Sequence, residues 1–384
     1  MRNNNIPKVR FKQFEGLWNE DKIGNIVSIS AGGDIDRSKL KNKGQYPVVA
    51  NALTNKGIVG FYDDYKVKAP AVTVTGRGDV GYAVARHENF TPIVRLLTLQ
   101  SENIDVDYLQ NQINSMRILN ESTGVPQLTA PQLGNYKVYY PEIEEQSAIG
   151  SLFCTIDDLL VSYKDNLANY RSLKATMLSK MFPKAGQTVP EIRLDGFEGE
   201  WEVVNLGTLI ENYDEIISGA SGFPIATSSR KGLYLQNDYF EGGRTGIDLT
   251  LDFHRVPMGY VTYRHMSDDS IFKFNKNNFE TDVLVSKEYP VFISNDRSDI
   301  DFLLYHLNNS GLFLRFSTMQ KLGGTRVRLY YKNLITYRLS VPKVKEQQAI
   351  GTYFSNLDNL IATHQEKISQ LETLKKKLLQ DMFI

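Results

Sequence analysis

The chain reads "PEIEEQSAIGSLFCTIDDLL" from Pro141 to Leu160 and "PKVKEQQAIGTYFSNLDNLI" from Pro342 to Ile361. Pro141/Pro342, Glu145/Glu346, Gln146/Gln347, Ile149/Ile350 and Phe153/Phe354 recur at a constant offset of 201 residues. Self-similarity on that scale marks a duplication. A second pair of stretches, "PKVRFKQFEGLWNEDKIGNI" (Pro7 to Ile26) and "PEIRLDGFEGEWEVVNLGTL" (Pro190 to Leu209), repeats at offset 183 through Arg10/Arg193, Phe14/Phe197, Glu15/Glu198, Gly16/Gly199, Trp18/Trp201 and Gly24/Gly207. The offsets differ by 18 residues (201 less 183), so the second repeat holds an insert between like ends.

Behind each proline-led stretch, apolar residues fall at alternating three- and four-residue steps. They are Ile149, Phe153, Ile156, Leu160, Tyr163, Leu167, Tyr170, Met177 and Met181, then Ile350, Phe354, Leu357, Ile361, Ile368, Leu371, Leu378 and Met382. That period predicts two long helices packing along one another as an antiparallel coiled coil. Each would run on the order of 50 Å at about 1.5 Å per residue. Pro183 stops the first near Phe182, and "KAGQTVP" reads as a linker. Between the repeated ends lie unlike interiors. "VTVTGRGDVGYAV" belongs to the first, with Val72, Val74, Tyr82 and Val84 alternating as in a half-buried strand, and "IATSSRKGLYLQNDYFEGGRT" to the second. Helices are expected near Val106 to Leu119 and Ile300 to Phe316. The fold class expected is therefore α+β, with two mixed domains in tandem repeat separated by two long antiparallel coiled-coil-like helices. The boundaries read 1–142, 143–182, 183–189, 190–342 and 343–384.

Lys+Arg 44 balances Asp+Glu 44, which argues against indiscriminate coating of nucleic acid and leaves room for a local basic groove. One cysteine, Cys154, fits a reducing cytoplasm and reads as inert packing. There is no run of about 18 apolar residues to span a membrane, and "MRNNNIPKVRFKQF" lacks the apolar core of a signal peptide. Without adjacent prolines there is no Asn/Asp-Pro-Pro-aromatic methyltransferase loop; no Gly-x-x-x-x-Gly-Lys-Ser/Thr phosphate loop occurs; the five histidines have no zinc spacing.

Taken in order, the paired "P-x-x-x-E-Q-x-A-I-G" motifs, the two "F-E-G-x-W" openings (Phe14 to Trp18, Phe197 to Trp201), the endings "LKATMLSKMF" and "LKKKLLQDMF", and the turn "TGRGDVG" (Thr75 to Gly81) resemble the specificity subunits of Type I restriction–modification enzymes. The resemblance spans nearly the whole chain. It implies two target-recognition domains, each reading one half of a split sequence in double-stranded DNA, with the helices fixing the gap. It implies two modification subunits carrying S-adenosylmethionine, two restriction subunits using ATP and Mg, and no catalysis or cofactor on this chain.

Base edges are read by Arg, Lys, Asn and Gln, and phosphates are held by Lys, Arg, Ser and Thr. The DNA-contact candidates in the first domain are Lys39, Lys41, Lys43, Thr75, Arg77 and Arg86. In the second they are Ser228, Ser229, Arg230, Lys231, Gln236, Asn237, Arg244, Tyr263, Arg264, His265, Gln320, Lys321, Arg326 and Arg328. The Gly-flanked Arg77, Arg230 and Arg326 lead the set. Asp79 is expected to cap its own turn, and Trp18 and Trp201 to pack. Glu145, Gln146, Glu346 and Gln347 stand between first-turn capping and contact with a partner subunit. Two other readings stay open: a stand-alone endonuclease built on Asp268, Asp269 and Asp282, and a two-domain scaffold that does not bind DNA.

Overall fold

The computed structural model describes residues 5–118, 126–239, 248–321 and 326–384. It divides into two compact units, Met1–Asp165 with His364–Ile384, and Asn166–Thr363. The long helices Ile143–Lys180 and Val344–Asp381 are each cut by that division. They are not bodies of their own: each unit holds the beginning of one helix and the end of the other.

In the first unit a four-stranded antiparallel sheet runs in the order Ser28–Ala31, Leu96–Gln100, Ala71–Thr75, Ala83–Arg86. A three-stranded sheet, Ile58–Tyr62, Tyr46–Val49, Thr91–Pro92, lies beside it. Strand Ala71–Thr75 is buried at every position, not at alternate ones. Val72 and Val74 pack with Leu109 and Ile113 of the helix Val106–Ser115, while Ala71 packs with Val49 and Phe90. A layer covers each face, so the alternation of Val with Thr did not reveal the second one.

The second unit has its own four-stranded sheet, Ile210–Tyr213, Val291–Ser294, Val261–Thr262, Asn275–Lys276. A three-stranded one contains Ile216–Ser218, Asp252–Val256 and Val283–Ser286. The expected helix over Ile300 to Phe316 is two helices, Ile300–Asn309 and Gly311–Met319. Ser310 breaks it: its N–H closes the first helix on His306 O, and its Oγ caps the second by accepting from the N–H groups of Leu312 and Phe313.

The repeated letters have one explanation in both units. Glu145 is buried, and its carboxylate takes a two-pronged ion pair from Arg10 at 2.7 and 2.6 Å. Glu346 takes the same pair from Arg193 at 2.7 and 2.7 Å. Each arginine also donates to the carbonyls of its Glu-Gly turn, Glu15 and Gly16 or Glu198 and Gly199. Gln146 Oε1 accepts from Asp105 N–H at 3.0 Å and its Nε2 donates to Pro141 O at 2.8 Å. Gln347 does the same with Asp299 and Pro342, at 2.9 and 2.8 Å. Asp105 and Asp299 are the caps of the helices Val106–Ser115 and Ile300–Asn309. A Cβ on Gly150 or Gly351 would sit 2.7 or 2.8 Å from those cap carboxylates, so the crossing of the two helices requires glycine. The motif E-Q-x-x-x-G thus clamps an arginine, ties a helix cap and lets two backbones meet.

Trp18 and Trp201 are packing residues as expected, each 2% exposed and edge-on to Tyr108 or Phe302. Strands pairing Asn19–Lys22 with Lys137–Tyr140, and Glu202–Asn205 with Arg338–Val341, close the frame directly ahead of each long helix. Phe383, at the end of one helix, packs on Tyr108 and Phe153; Phe182, at the end of the other, packs on Phe302 and Phe354. Burying such a ring is worth about 1.5–3 kcal/mol.

Within each unit the two helix segments run in opposite directions. In the first, Lys375 pairs with Asp157 at 2.5 Å, Lys164 with Glu372 at 2.7 Å, and Tyr163 meets the His364 ring at 5.4 Å. In the second, Lys174 pairs with Asp358, which also accepts from Tyr305 OH at 2.8 Å. Lys174 and Lys375 take up the seam step between Tyr170 and Met177 and between Leu371 and Leu378. Among the described residues, no helix is long and apolar enough to cross a membrane.

Candidate nucleic-acid interface

The turn Thr75 to Gly81 joins strands Ala71–Thr75 and Ala83–Arg86 in the first unit. Gly78 and Gly81 have φ of 79° and 87°, a backbone that side chains with a Cβ rarely adopt. Thr75 is buried: its hydroxyl donates to Asp79 O and accepts from Tyr82 N–H, so it braces the turn from inside. Asp79 contributes its carbonyl to that bracing. Arg77 is exposed at the tip and has no carboxylate partner among the described residues.

Arg86 is interior. Its guanidinium donates to Thr73 Oγ1 at 3.0 Å and to Lys56 O at 2.6 Å, and burial pushes its pKa down to about 10. The expectation that Arg86 meets DNA is corrected, because its donors serve the adjacent loop. Lys39, Lys41 and Lys43 are exposed, with Lys41 paired to Asp63 at 2.5 Å.

In the second unit some of the candidates come together. Hairpin strands Ala226–Ser229 and Gly232–Leu235 turn at Arg230 and Lys231, where Ser229 Oγ accepts from Lys231 N–H at 3.1 Å. Ser229, Arg230, Lys231 and Arg264 line a cavity of about 420 Å³ together with Asp268. Arg230 pairs with Asp269 at 2.5 Å and Arg326 with Asp268 at 2.8 Å. Arg264, Lys321 and Arg328 are exposed, as is Asn237 on the short turn beyond the hairpin. Gln236 is half-buried there, and Gln320 is half-buried with its Oε1 accepting from Asn333.

Three candidates of this unit are interior by the same logic as Arg86. Ser228 accepts from Asn275 at 2.8 Å; Tyr263 is wholly buried and donates to Leu329 O at 3.0 Å; His265 stacks on Tyr330 at 5.5 Å. Burial lowers the pKa of His265. Arg244 lies outside the described residues. The four helix-start residues Glu145, Gln146, Glu346 and Gln347 are also corrected: they are buried and bonded within their own unit, leaving no surface for a partner.

Sequence reading missed Arg10 and Arg193 as the partners of those glutamates, although their shared offset was the signal. It also kept open, as an alternative, an endonuclease built on Asp268, Asp269 and Asp282. Each of these carboxylates pairs with an arginine, the third with Arg255 at 2.5 Å. Among the described residues no group of three or more His, Cys, Asp or Glu is placed to hold a metal ion.

One frame used twice, with paired helices and unlike basic loops, defines a two-part recognition scaffold. The sequence matches the family described as Type I restriction modification DNA specificity domain over residues 15–169 and again over 231–373, and the chain belongs to that family. The Type I restriction enzyme MjaVIII specificity subunit of Methanocaldococcus jannaschii is 22% identical over 417 residues, covering 96% of this chain and 94% of that one. A relative from the same organism, named after the MjaX enzyme, is 24% identical over 287 residues. This match covers 68% of this chain but 61% of the relative, under two thirds of its length. A crystal structure of a Type I restriction–modification system S subunit from M. genitalium matches with TM-score 0.62 at 14% identity, covering 99% of each chain; the likeness is one of fold.

Proposed function

We infer that this chain is the DNA-reading subunit of a Type I restriction–modification complex and catalyses nothing itself. Each unit reads one half of a split sequence in double-stranded DNA. The paired helices set the gap and dock two modification subunits, which carry S-adenosylmethionine, while two restriction subunits use ATP and Mg.

The observation that carries this reading is the contrast within the duplication. The clamps Arg10–Glu145 and Arg193–Glu346 hold like frames at near-identical distances, while the loops on those frames share neither sequence nor charge arrangement. Two different half-sites call for that combination. Successive major-groove faces of B-DNA lie about 34 Å apart, a separation that helices of 38 residues, about 57 Å each, are long enough to match. The arginine pairs on Asp268, Asp269 and Asp282 favour recognition over the nuclease reading.

The test is exchange of parts in the assembled complex. Replacing 27–135 with the matching segment of another specificity subunit changes one half of the methylated motif, and replacing 213–335 changes the other. A first-segment exchange that altered both halves would sink the modular reading. DNA affinity that fell steeply with added salt separates it from the scaffold reading, since phosphate contacts release counterions.

A further inference from the structure

The loops at one end of the first unit's four-stranded sheet are drawn together. Thr75 pairs with Leu96, Ala31 with Leu97 and Val74 with Ala83, so the turns after Ala31 and Thr75 and the loop before Leu96 emerge at the same edge. Asn51, from the loop after Tyr46–Val49, links two of them: its Oδ1 accepts from Gly76 N–H at 2.8 Å and its Nδ2 donates to Val94 O at 3.1 Å. The backbones touch directly as well, since a Cβ on Gly76 would lie 2.2 Å from Arg95 O. Gly76 precedes Arg77, so this bracing holds the stems of Arg77 and Arg95 side by side.

Arg95 is unusual. Its φ is 68°, in the left-handed region, which costs a residue with a Cβ about 1–2 kcal/mol and which glycine or asparagine accepts readily. Its side chain is exposed and, like that of Arg77, has no carboxylate partner among the described residues. Strain retained under an exposed, unpaired guanidinium points to work for the guanidinium. Asp79 lies on the same turn as Arg77, and Arg86 holds the loop of Lys56 by its carbonyl at 2.6 Å.

We propose that Arg77 and Arg95 are the specificity-determining pair of the first unit, their forked donors reading guanine O6 and N7 in the major groove, with Asn51 as the residue that positions them. This rests on the DNA-reading function inferred above.

The experiment uses the full chain with its modification subunits in cells, and maps N6-methyladenine for the wild type and for Arg95→Gly, Arg95→Asn, Arg77→Gln, Asn51→Ala and Asn51→Asp. Both Arg95 variants relieve the backbone, so the fold is retained, and thermal melting of the purified chain checks it. The expected result is a guanine in one half of the motif becoming degenerate, with discrimination there falling roughly 10- to 100-fold, and the other half unchanged. Asn51→Ala gives a weaker form of the same degeneracy, and Asn51→Asp, which keeps the acceptor for Gly76, gives less. A motif unchanged in both Arg95 variants overturns the proposal. So does a uniform drop in methylation with no relaxed position, the mark of a phosphate contact. Absence of any split motif in the wild type refutes the DNA-reading function itself, and this proposal with it.

Discussion

Arg10→Ala isolates the clamp that starts the central helix. It deletes two bonds at 2.7 and 2.6 Å to a Glu145 side chain that is 2% exposed, and two more to the carbonyls of Glu15 and Gly16. What remains is a buried carboxylate without its cation, which costs about 3–5 kcal/mol, well above the value of a surface pair. At about 2–4 °C per kcal/mol for a domain of this size, the melting transition of the first unit falls by about 6–20 °C. Calorimetry of the full chain reads it, with Arg193→Ala as the matched loss in the second unit to assign the transitions. Replacing both partners, Arg10→Met with Glu145→Leu, recovers most of the stability because no charge is left unpaired. Arg10→Lys recovers little, since an ammonium lacks the fork that reaches both carboxylate oxygens and the turn. A shift below about 2 °C for Arg10→Ala would place the pair on the scale of surface ion pairs and refute the reasoning.

Lys174→Asp destabilises the helix pair by setting two acids together, and adding Asp358→Lys restores it; the coupling, read from a double-mutant cycle, is about 0.3–1 kcal/mol because both groups are partly solvated. His306 is buried, which pushes its pKa down to about 4, so the unfolded chain binds its proton first as pH falls. Stability of the second unit is therefore full above about pH 6.5 and declines by up to about 3 kcal/mol toward pH 4, a slope that His306→Gln removes in denaturant titrations. The Cys154 thiol is pushed up to about 12 by burial and by Asp107, Asp157 and Asp158, so alkylation by iodoacetamide at pH 8 is much slower than for a free cysteine and accelerates only on unfolding.

The duplication was legible because the frame repeats its letters at fixed offsets. The seam was legible because its period is set by helix geometry. What the letters E, Q and G do was not legible, since Arg10 is 135 residues from Glu145 and Asp105 is 41 from Gln146. The two-layer cover of Ala71–Thr75 and the break at Ser310 depend likewise on contacts remote in sequence. Among the candidate DNA contacts, glycine flanks singled out Arg77 and Arg230, which the structure leaves exposed, but the same chemistry in Arg86 is spent inside the fold. Arg95 gave no signal, because "PIVRLL" reads as plain strand and only its backbone angle sets it apart.

The most direct test of the central claim is a genome-wide N6-methyladenine map of the native cells with the gene present and deleted. The account predicts that one split, asymmetric motif loses methylation throughout the genome on deletion. An unchanged map, in cells where the protein is expressed, would contradict it.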